Sequence, residues 1–413
     1  MGGLSAGVAD VYSINLNNPA SFSGFQSYME AKSKKMIQGR AILDVGINID
    51  NRTLKEPATS KKFPTSNALF SYLQVGMPIK NNWGLSFGLK PLSRISYNLF
   101  HDEVLKDPNT GLPIDSATTR YVGDGGAYLA SIGTGFSVFH KMTTDGEKKL
   151  SLGFNIGYLF GKKDYSTKRN FNNDSVAYYQ GNFETKTNYG NLHYNVGFQY
   201  KTPINKEISL TIGGYGEWSQ KLNATQDIVR ETTAYDANLG QVRLDSVSEQ
   251  RNVKGKIIYP ASFTAGFLLQ KYVVQSKEGG WRLGIDFSQQ NWSQYRFYGQ
   301  TDSVRNNWQV RVGGELNPVP KRNYFSNVAY RFGFYTGPDY IKVGQGLNQF
   351  GASFGMGLPV PINRQNPYQV TIINLAFEYS KRGNNNNLLR ENMFRVSLGF
   401  SLSDAWFQKR KYD

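Results

Sequence analysis

The sequence predicts an all-β protein, a transmembrane antiparallel β-barrel of about 14 strands. Three observations support this prediction. About fourteen or fifteen segments follow one another in which every second residue is apolar, with no helical pattern between them. Many of these segments are about nine to a dozen residues long, the length that crosses a membrane at a tilt. The residues between the apolar ones mix Gly and Ser with charges, which is typical of a water-containing lumen and not of a solvent face.

Five segments show the alternation most clearly. They are Trp83–Lys90, His193–Tyr200, Trp281–Ser288, Ile372–Tyr379 and Phe394–Leu402. Because lipid offers the backbone no hydrogen-bond partner, strands that cross a membrane must close into a barrel. A soluble protein of several sheets, whose apolar faces pack against each other, is the alternative that the pattern leaves open.

The connections are of two kinds, which fits a barrel with short turns at one end and longer loops at the other. Pro78–Gly84 and Thr202–Ile208 read as tight turns. Phe100–Arg120 and Ala224–Asn252 are long, polar and without alternation, and they are predicted as external loops. The first two strands are predicted at Ala41–Ile49 and Ala68–Met77, and Ser27–Gly39 remains open as either an extra strand or part of the N-terminal segment.

The composition limits the chemistry. The chain has no cysteine, and its 47 Lys and Arg against 31 Asp and Glu give a net charge of +16. The basic residues are spread through predicted loops, which argues against nucleic acid and favours outer-membrane lipid and phosphorylated lipopolysaccharide as neighbours. The N-terminal residues lack the pattern of a signal peptide, so we expect one to have been cleaved from a protein of the bacterial outer membrane.

Catalytic and metal motifs are not found, so no enzyme activity and no cofactor or metal is expected. The three histidines, His101, His140 and His193, lie in different segments, and HExxH does not occur. Asp107–Asp115 begins like a calcium loop but lacks the later bidentate Glu, so an external turn is the better interpretation. An outer-membrane esterase or phospholipase barrel stays as a minor alternative.

The chain resembles the FadL/TodX family of outer-membrane channels for hydrophobic substrates. The resemblance rests on the N-terminal stretch with GVAD and NNPAS, on the run of strands and on the approximate length. It implies an N-terminal hatch or plug over residues 1–40 and a barrel over 41–403. Residues 404–413 continue past the last predicted strand, which departs from the family pattern, and are predicted to be a basic periplasmic tail. It also implies that Asn18, Pro19 and Ala20 form the hatch motif. Taken alone, the same Asn-Pro-Ala stretch is an ordinary turn.

Proline 91 interrupts the third predicted strand. Proline cannot donate to a β-ladder, so it marks a bulge or a break. Since the resemblance implies a kinked third strand that opens the barrel wall, Lys90, Pro91 and Leu92 are predicted to mark a lateral opening. The alternative is that Pro91 ends the membrane part of the strand.

Two functions follow. The first is passive uptake of hydrophobic, fatty-acid-like molecules through a hatch-gated barrel, which the resemblance implies. The second is an accessory barrel with a plugged lumen in a secretion or barrel-assembly complex, with other outer-membrane proteins as partners. Charges on the lumen side of the predicted strands favour the second. These lumen residues are Arg282, Asp286, Arg311, Glu378 and Arg395.

Overall fold

The computed structural model describes residues 1–29, 36–58, 61–172, 178–236, 238, 240–273, 277–342, 344–360 and 369–406. Its antiparallel sheet closes on itself, because the first long strand, β1 (Met36–Lys55), pairs with the last, β14 (Arg390–Trp406). A sheet that closes on itself pairs the backbone groups of its first and last strands, as strands that cross lipid require.

The strands follow one another around the barrel in chain order. The first group comprises β2 (Lys62–Lys80), β3 (Trp83–Lys106), β4 (Pro113–Thr143), β5 (Gly146–Phe171) and β6 (Gln180–Pro203). Two strands have a short break: β7 consists of Ile208–Glu217 and Gln220–Asp236, and β8 of Gly240–Tyr259 and Ser262–Lys271. The last group comprises β9 (Gly280–Gln290), β10 (Asn307–Asn317), β11 (Ala329–Pro338), β12 (Asn348–Pro359) and β13 (Val370–Arg382). With each broken strand counted once, the barrel has fourteen strands, which confirms the prediction.

Short elements complete the described chain. The strand Ser27–Met29 pairs with the start of β1, so part of the undecided stretch Ser27–Gly39 is a hairpin arm. The strand Arg296–Phe297 pairs with β8. Three 3-10 helices lie at Pro19–Gly24, Trp292–Gln294 and Tyr324–Asn327. In the described residues, no helix is of the length and apolarity needed to span a membrane.

The alternation places apolar side chains outward and polar ones in the lumen. On β9, Ile285 and Phe287 are 39% and 38% exposed, whereas Asp286 between them is 2% exposed. An exposed apolar outer surface around a closed barrel is what lipid covers. The architecture therefore indicates the bacterial outer membrane.

The prediction of two long external loops is wrong. Among the described residues, Phe100–Arg120 and Ala224–Asn252 are mostly strand, interrupted by turns near residues 107–112 and at Asn238. Here the strands β3 to β8 continue past the membrane, where water replaces lipid and the outer face no longer needs to be apolar. A β-ladder needs only backbone hydrogen bonds, so it continues through sequence that has lost its alternation.

The ends of the barrel agree with the remaining predictions in part. Tight turns lie within Pro78–Gly84 and Thr202–Ile208, as expected. The first strand starts at Met36 instead of Ala41, and the last extends to Trp406, past the predicted boundary at residue 403. Both extensions pair with each other at the rim. Residues 407–413 of the predicted tail lie outside the described residues.

Candidate functional site

Residues 1–25, which we call the plug, lie in the lumen. Their contacts are with the polar inner faces of the strands, from Asp44 on β1 to Gly333 on β11. Ser5, Ala6, Asn18 and residues 19–23 are buried there. A segment without strand pairing therefore crosses the barrel and touches most of its circumference. Whether it opens as a hatch stays a prediction.

The Asn-Pro-Ala stretch forms the structural centre of the plug. Asn18 Oδ1 accepts a hydrogen bond from the backbone N–H of Ala20 at 3.1 Å, which caps the 3-10 helix Pro19–Gly24. Asn18 Nδ2 donates to the carbonyl of Ala6 at 2.8 Å and to that of Phe198 on β6 at 3.1 Å. One fully buried side chain thus joins the helix, the start of the plug and the barrel wall. Pro19 fits the first helical position because it lacks an N–H that would otherwise be unpaired.

The wall opposite this helix is made of glycines, which we call the glycine wall: Gly135, Gly153 and Gly197. A Cβ added at Gly135 or Gly153 would overlap the backbone of Pro19, and one at Gly197 would overlap the side chain of Asn18. Only glycine lets the plug backbone come this close to the strands. The abundance of glycine on the polar faces of the strands therefore has a local cause here.

Apolar side chains fix the end of the plug that leads to β1. Ile14, Phe22 and Phe25 pack with Ile42 on the inner face of β1, and the rings of Phe22 and Phe25 stack at 5.6 Å. Ile42 is an apolar residue on an otherwise polar face, and it is 1% exposed. Its burial against Ile14, Phe22 and Phe25 makes this contact apolar.

Two carboxylates bind backbone N–H groups of the plug. Asp286 Oδ2 accepts from Ser5 N at 2.6 Å and from Ala6 N at 3.0 Å. Asp44 Oδ2 accepts from Ile14 N at 2.6 Å. Hydrogen bonds to charged acceptors are the stronger class, and in a buried site they fix the register of the bound segment. We call Asp286 and its neighbour on β9, Arg282, the charged anchor.

Arg282 holds the plug through an ion pair. Its Nη1 lies 3.0 Å from Asp10 Oδ2 and 3.6 Å from Glu315 Oε1. Burial raises the pKa of Asp10, but the attraction of Arg282 and the N–H of Tyr12 outweigh it, so the pKa of this carboxyl lies below its ordinary value. The carboxylate of Asp10 thus binds the plug to β9, away from the glycine wall on β4 to β6.

Lysines of the wall reach the other side of the plug. Lys90 Nζ lies 3.3 Å from the carbonyl of Leu16 and 3.2 Å from Asn17 Oδ1. Lys149 Nζ donates to the carbonyl of Ser23 at 2.8 Å. These two lysines donate to backbone carbonyls of the plug, whereas Asp44 and Asp286 accept from its backbone N–H groups.

The predicted lumen residues all lie on the inner face, but they form two groups. Arg282, Asp286 and Arg311 border the plug, with Arg311 next to Gly3. Arg395 and Glu378 belong to a separate network away from it. There Arg395 binds Asp50 through Nε at 2.6 Å and Nη2 at 2.9 Å, and Tyr335 donates to Glu378 at 2.8 Å.

Several lumen residues were missed by the sequence analysis. They are Asp10, Asp44, Asp50, Lys149 and Gln199. Asp44 lies on the polar parity of the predicted strand Ala41–Ile49, and Asp50 continues that parity one residue past the predicted end, so the alternation contained the signal for both. Asp10 had no such signal, because the plug has no strand period.

A polar cavity of about 810 Å³ remains beside the plug. Its lining includes Lys90, His193, Glu217, Arg311 and Arg395. His193 Nε2 lies 2.6 Å from Glu217 Oε2. Beyond the cavity, residues 291–306 pack on the buried apolar side chains of β4, β5, β7 and β8, with Tyr295, Phe297 and Tyr298 in contact. Charged and hydrogen-bonding groups thus dominate the space that the plug leaves free.

The wall changes at the predicted kink. β2 pairs with β3 only from Lys80↔Trp83 to Leu73↔Leu89, and β3 then continues to Lys106 with β4 as its partner. A register shift falls between Pro91 and Ser93. Lys90, Pro91 and Leu92 therefore lie where β3 separates from β2, and a passage for substrate there stays a prediction. An apolar pocket of about 550 Å³ lies beside this separation. Its lining includes Leu73, Phe87, Leu89, Ile132, Ile156 and Leu192.

Comparison with known proteins gives a family and a fold. The family model described as BamG matches residues 1–413. The toluene transporter TbuX of Ralstonia pickettii has a similar structure, with a TM-score of 0.52, 11% identity and coverage of 97% of this chain and 96% of that one. The toluene transporter TodX of Pseudomonas putida has a TM-score of 0.51 and 14% identity, with coverage of 98% of this chain and 96% of that one. A FadL homologue of Pseudomonas aeruginosa has a TM-score of 0.50 and 12% identity, with the same coverage of both chains. No curated protein matches the sequence. The FadL-like fold implied by the resemblance is thereby confirmed.

Proposed function

The chain belongs to the BamG family, and we propose that it is an accessory barrel subunit of an outer-membrane secretion or barrel-assembly complex, with a closed lumen. The observation that carries this proposal is the polar attachment of the plug. Asp44, Asp286 and Arg282 bind it from two sides, and the glycine wall leaves no space behind it. A barrel closed in this way acts through its surfaces.

The remaining lumen supports the same proposal. Sites for hydrophobic ligands are lined mainly by apolar and aromatic side chains with few polar groups. The cavity beside the plug has instead a set of charges and amides, among them Arg382 paired with Asp339 at 2.8 Å. Transfer of an apolar molecule past these groups would cost their solvation without replacing it. The BamG assignment also favours an accessory role.

A second candidate is the passive uptake of hydrophobic molecules. One observation favours it: the apolar pocket at the separation of β2 and β3, which opens toward the lipid side of the wall. The transporters of similar fold are named for toluene. In this function the molecule leaves through the wall, and the plug serves as the hatch. Binding of lipopolysaccharide by the projecting strands is compatible with either candidate.

Native mass spectrometry of the protein extracted from its own membrane in mild detergent separates the two. For the accessory subunit we expect protein partners at fixed stoichiometry and no apolar adduct. A lone barrel that carries an apolar molecule through delipidation contradicts this proposal and supports uptake. The matched control is the same chain without residues 2–21: partner binding should persist in it, whereas uptake of a hydrophobic probe would change if the plug were a hatch.

A further inference from the structure

We propose that the edge of β3 from Arg94 to Leu105, which we call the free edge, binds an extended acidic segment of a partner protein by strand addition. This inference rests on the accessory function proposed above and names the surface that the partner uses. It concerns the part of β3 beyond the membrane, because about nine to eleven residues counted from Trp83 cross the lipid.

The free edge has a backbone without a ladder partner on one side. β3 pairs with β4 from Ser93↔Ala127 to Leu105↔Asp115 without a register shift. On its other side, pairing with β2 ends at Leu89. Among the described residues, the N–H and C=O groups that face away from β4 along this stretch therefore have no strand to bind. Such an edge is a template for another chain, since backbone groups are obligatory hydrogen-bonding groups.

The opposite edge of the same projecting sheet is protected. β8 has three register shifts in its pairing with β7, at Arg243/Asp245, Ser246/Ser248 and Gln250/Val253. Charged side chains follow one another along it, and its Ile257 and Ile258 pair with Arg296–Phe297. Bulges, charges and covering segments are the usual means of preventing strand addition.

Between Ser93 and Leu105 the free edge has no register shift and, among the described residues, no covering strand, and its charged side chains are limited to Arg94, Asp102 and Glu103. It has no proline there, whereas the neighbouring edge of β2 contains Pro64, which cannot donate to a ladder. Its outer face carries Phe100 and Val104, which are 64% and 60% exposed. One sheet thus has a protected edge and a regular edge, with exposed apolar side chains, that is open to a partner.

Charge indicates the chemistry of that partner. The two carboxylates on this stretch are already engaged: Asp102 accepts from Thr118 at 2.7 Å, and Glu103 pairs with Arg169. In the described part of the chain, Arg94 and Arg120 have no carboxylate within ion-pair distance, and Arg120 stacks over the Phe100 ring at 5.5 Å. An added strand places alternate side chains next to this face. Acidic side chains would pair with Arg94 and Arg120, and apolar ones would cover Phe100 and Val104.

Photocrosslinking in intact cells tests the location. A photoreactive residue replaces Ser96 on the free edge and, as the matched control, Ser248 on β8; both serines are exposed. We expect Ser96 to give one crosslinked partner and Ser248 to give none. Equal crosslinking at both sites, or a product that contains two copies of this chain, overturns the proposal.

Charge substitution tests the mode of binding. F100E with V104E places two carboxylates on the free edge, where they repel an acidic segment, and L244E with V247E places two on the protected edge, where both side chains are also exposed. We expect recovery of the partner to fall about tenfold in the first pair and to stay unchanged in the second, since each factor of ten corresponds to about 1.4 kcal/mol. Heat-modifiable migration of each variant checks that the barrel is folded.

The outcomes separate this inference from the proposed function. If a complex of fixed stoichiometry is isolated and Ser96 gives no crosslink, the free edge is not the partner site and the accessory function stands. If no complex is isolated, the proposed function fails first, and a Ser96 crosslink to a surface protein would be the only remaining support for the edge.

Discussion

The glycine wall and the charged anchor hold the same plug by different means. At Gly135 and Gly153 the strands meet the backbone of Pro19 and Ala20 directly, and at Gly197 they meet the side chain of Asn18, because the glycines have no side chain of their own. At Arg282 and Asp286 side chains reach out to Asp10, Ser5 and Ala6. The first contact depends on shape, and the second on charge. The close packing at the glycines is lost when one atom is added, whereas the hydrogen bonds and the ion pair at the charged anchor are lost when a group is removed or protonated.

Two buried serines of the plug report on the two contacts. Ser5 lies at the charged anchor and Ser21 at the glycine wall, and both are 3% exposed. Since the chain has no cysteine, Ser5→Cys and Ser21→Cys introduce the only thiol of the protein. The rate at which a water-soluble maleimide labels each thiol measures how often that part of the plug leaves the wall.

Adding a Cβ to the glycine wall should have the largest effect. In G135A with G153A, both methyl groups would overlap the backbone of Pro19, which cannot move without leaving the wall. Overpacking costs about 1–3 kcal/mol per site, so labelling of Ser21→Cys should rise about a hundredfold. Labelling of Ser5→Cys should change much less.

The control is G355A on the inner face of β12, away from the plug. The nearest fixed atom to its new Cβ is the Leu375 carbonyl oxygen at 3.2 Å, so a small shift accommodates it. It should leave both labelling rates unchanged. If G135A with G153A labels no faster than G355A, the glycines do not fix the plug.

These glycines show how far the sequence predicts the site. The alternation on β9 and β14 predicted Asp286 and Arg395 as lumen residues, because a strand period of two assigns each residue to a face. It also predicted glycine on the polar faces, but not which glycines meet the plug. That requires the position of a segment with no period of its own, such as Asn18 to Ala20. Ile42 shows the same limit, since only its contact with Phe22 explains an apolar residue in the lumen.

The projecting strands show a limit of the fold prediction. Alternation reports that one face meets lipid and the other meets water. Where both faces meet water, as in Ala224–Asn252, the period disappears although the ladder continues. The sequence therefore predicted the number of strands and underestimated their length.

Removing the carboxylate of the charged anchor should have a smaller effect. D286A leaves the N–H groups of Ser5 and Ala6 without their acceptor, at a cost of about 1–3 kcal/mol. Water that enters the space left by the carboxylate can bind these N–H groups and lowers that cost. We expect labelling of Ser5→Cys to rise about tenfold and that of Ser21→Cys to stay constant. D286N keeps an oxygen that can accept a hydrogen bond, so the labelling rate of Ser5→Cys in D286N should lie between the rates in D286A and in the parent. Equal rates for Asn, Ala and the parent would show that Asp286 does not anchor the plug.

Acid should have the smallest effect, and only on the charged anchor. The pKa of Asp10 lies below its ordinary value, so the stabilisation by its pair with Arg282 is complete above about pH 4 and is lost as the pH falls through the folded-state pKa. A spin label at V11C, next to Asp10, should show constant mobility from pH 7 to pH 5 and rising mobility below pH 4. D10N should show the higher mobility at every pH, because it lacks the charge throughout. The glycine wall contains no group that titrates, so a label at Ser21→Cys should stay immobile over the whole range. A parallel rise at both labels would mean that acid loosens the barrel as a whole, and that the two contacts are not independent.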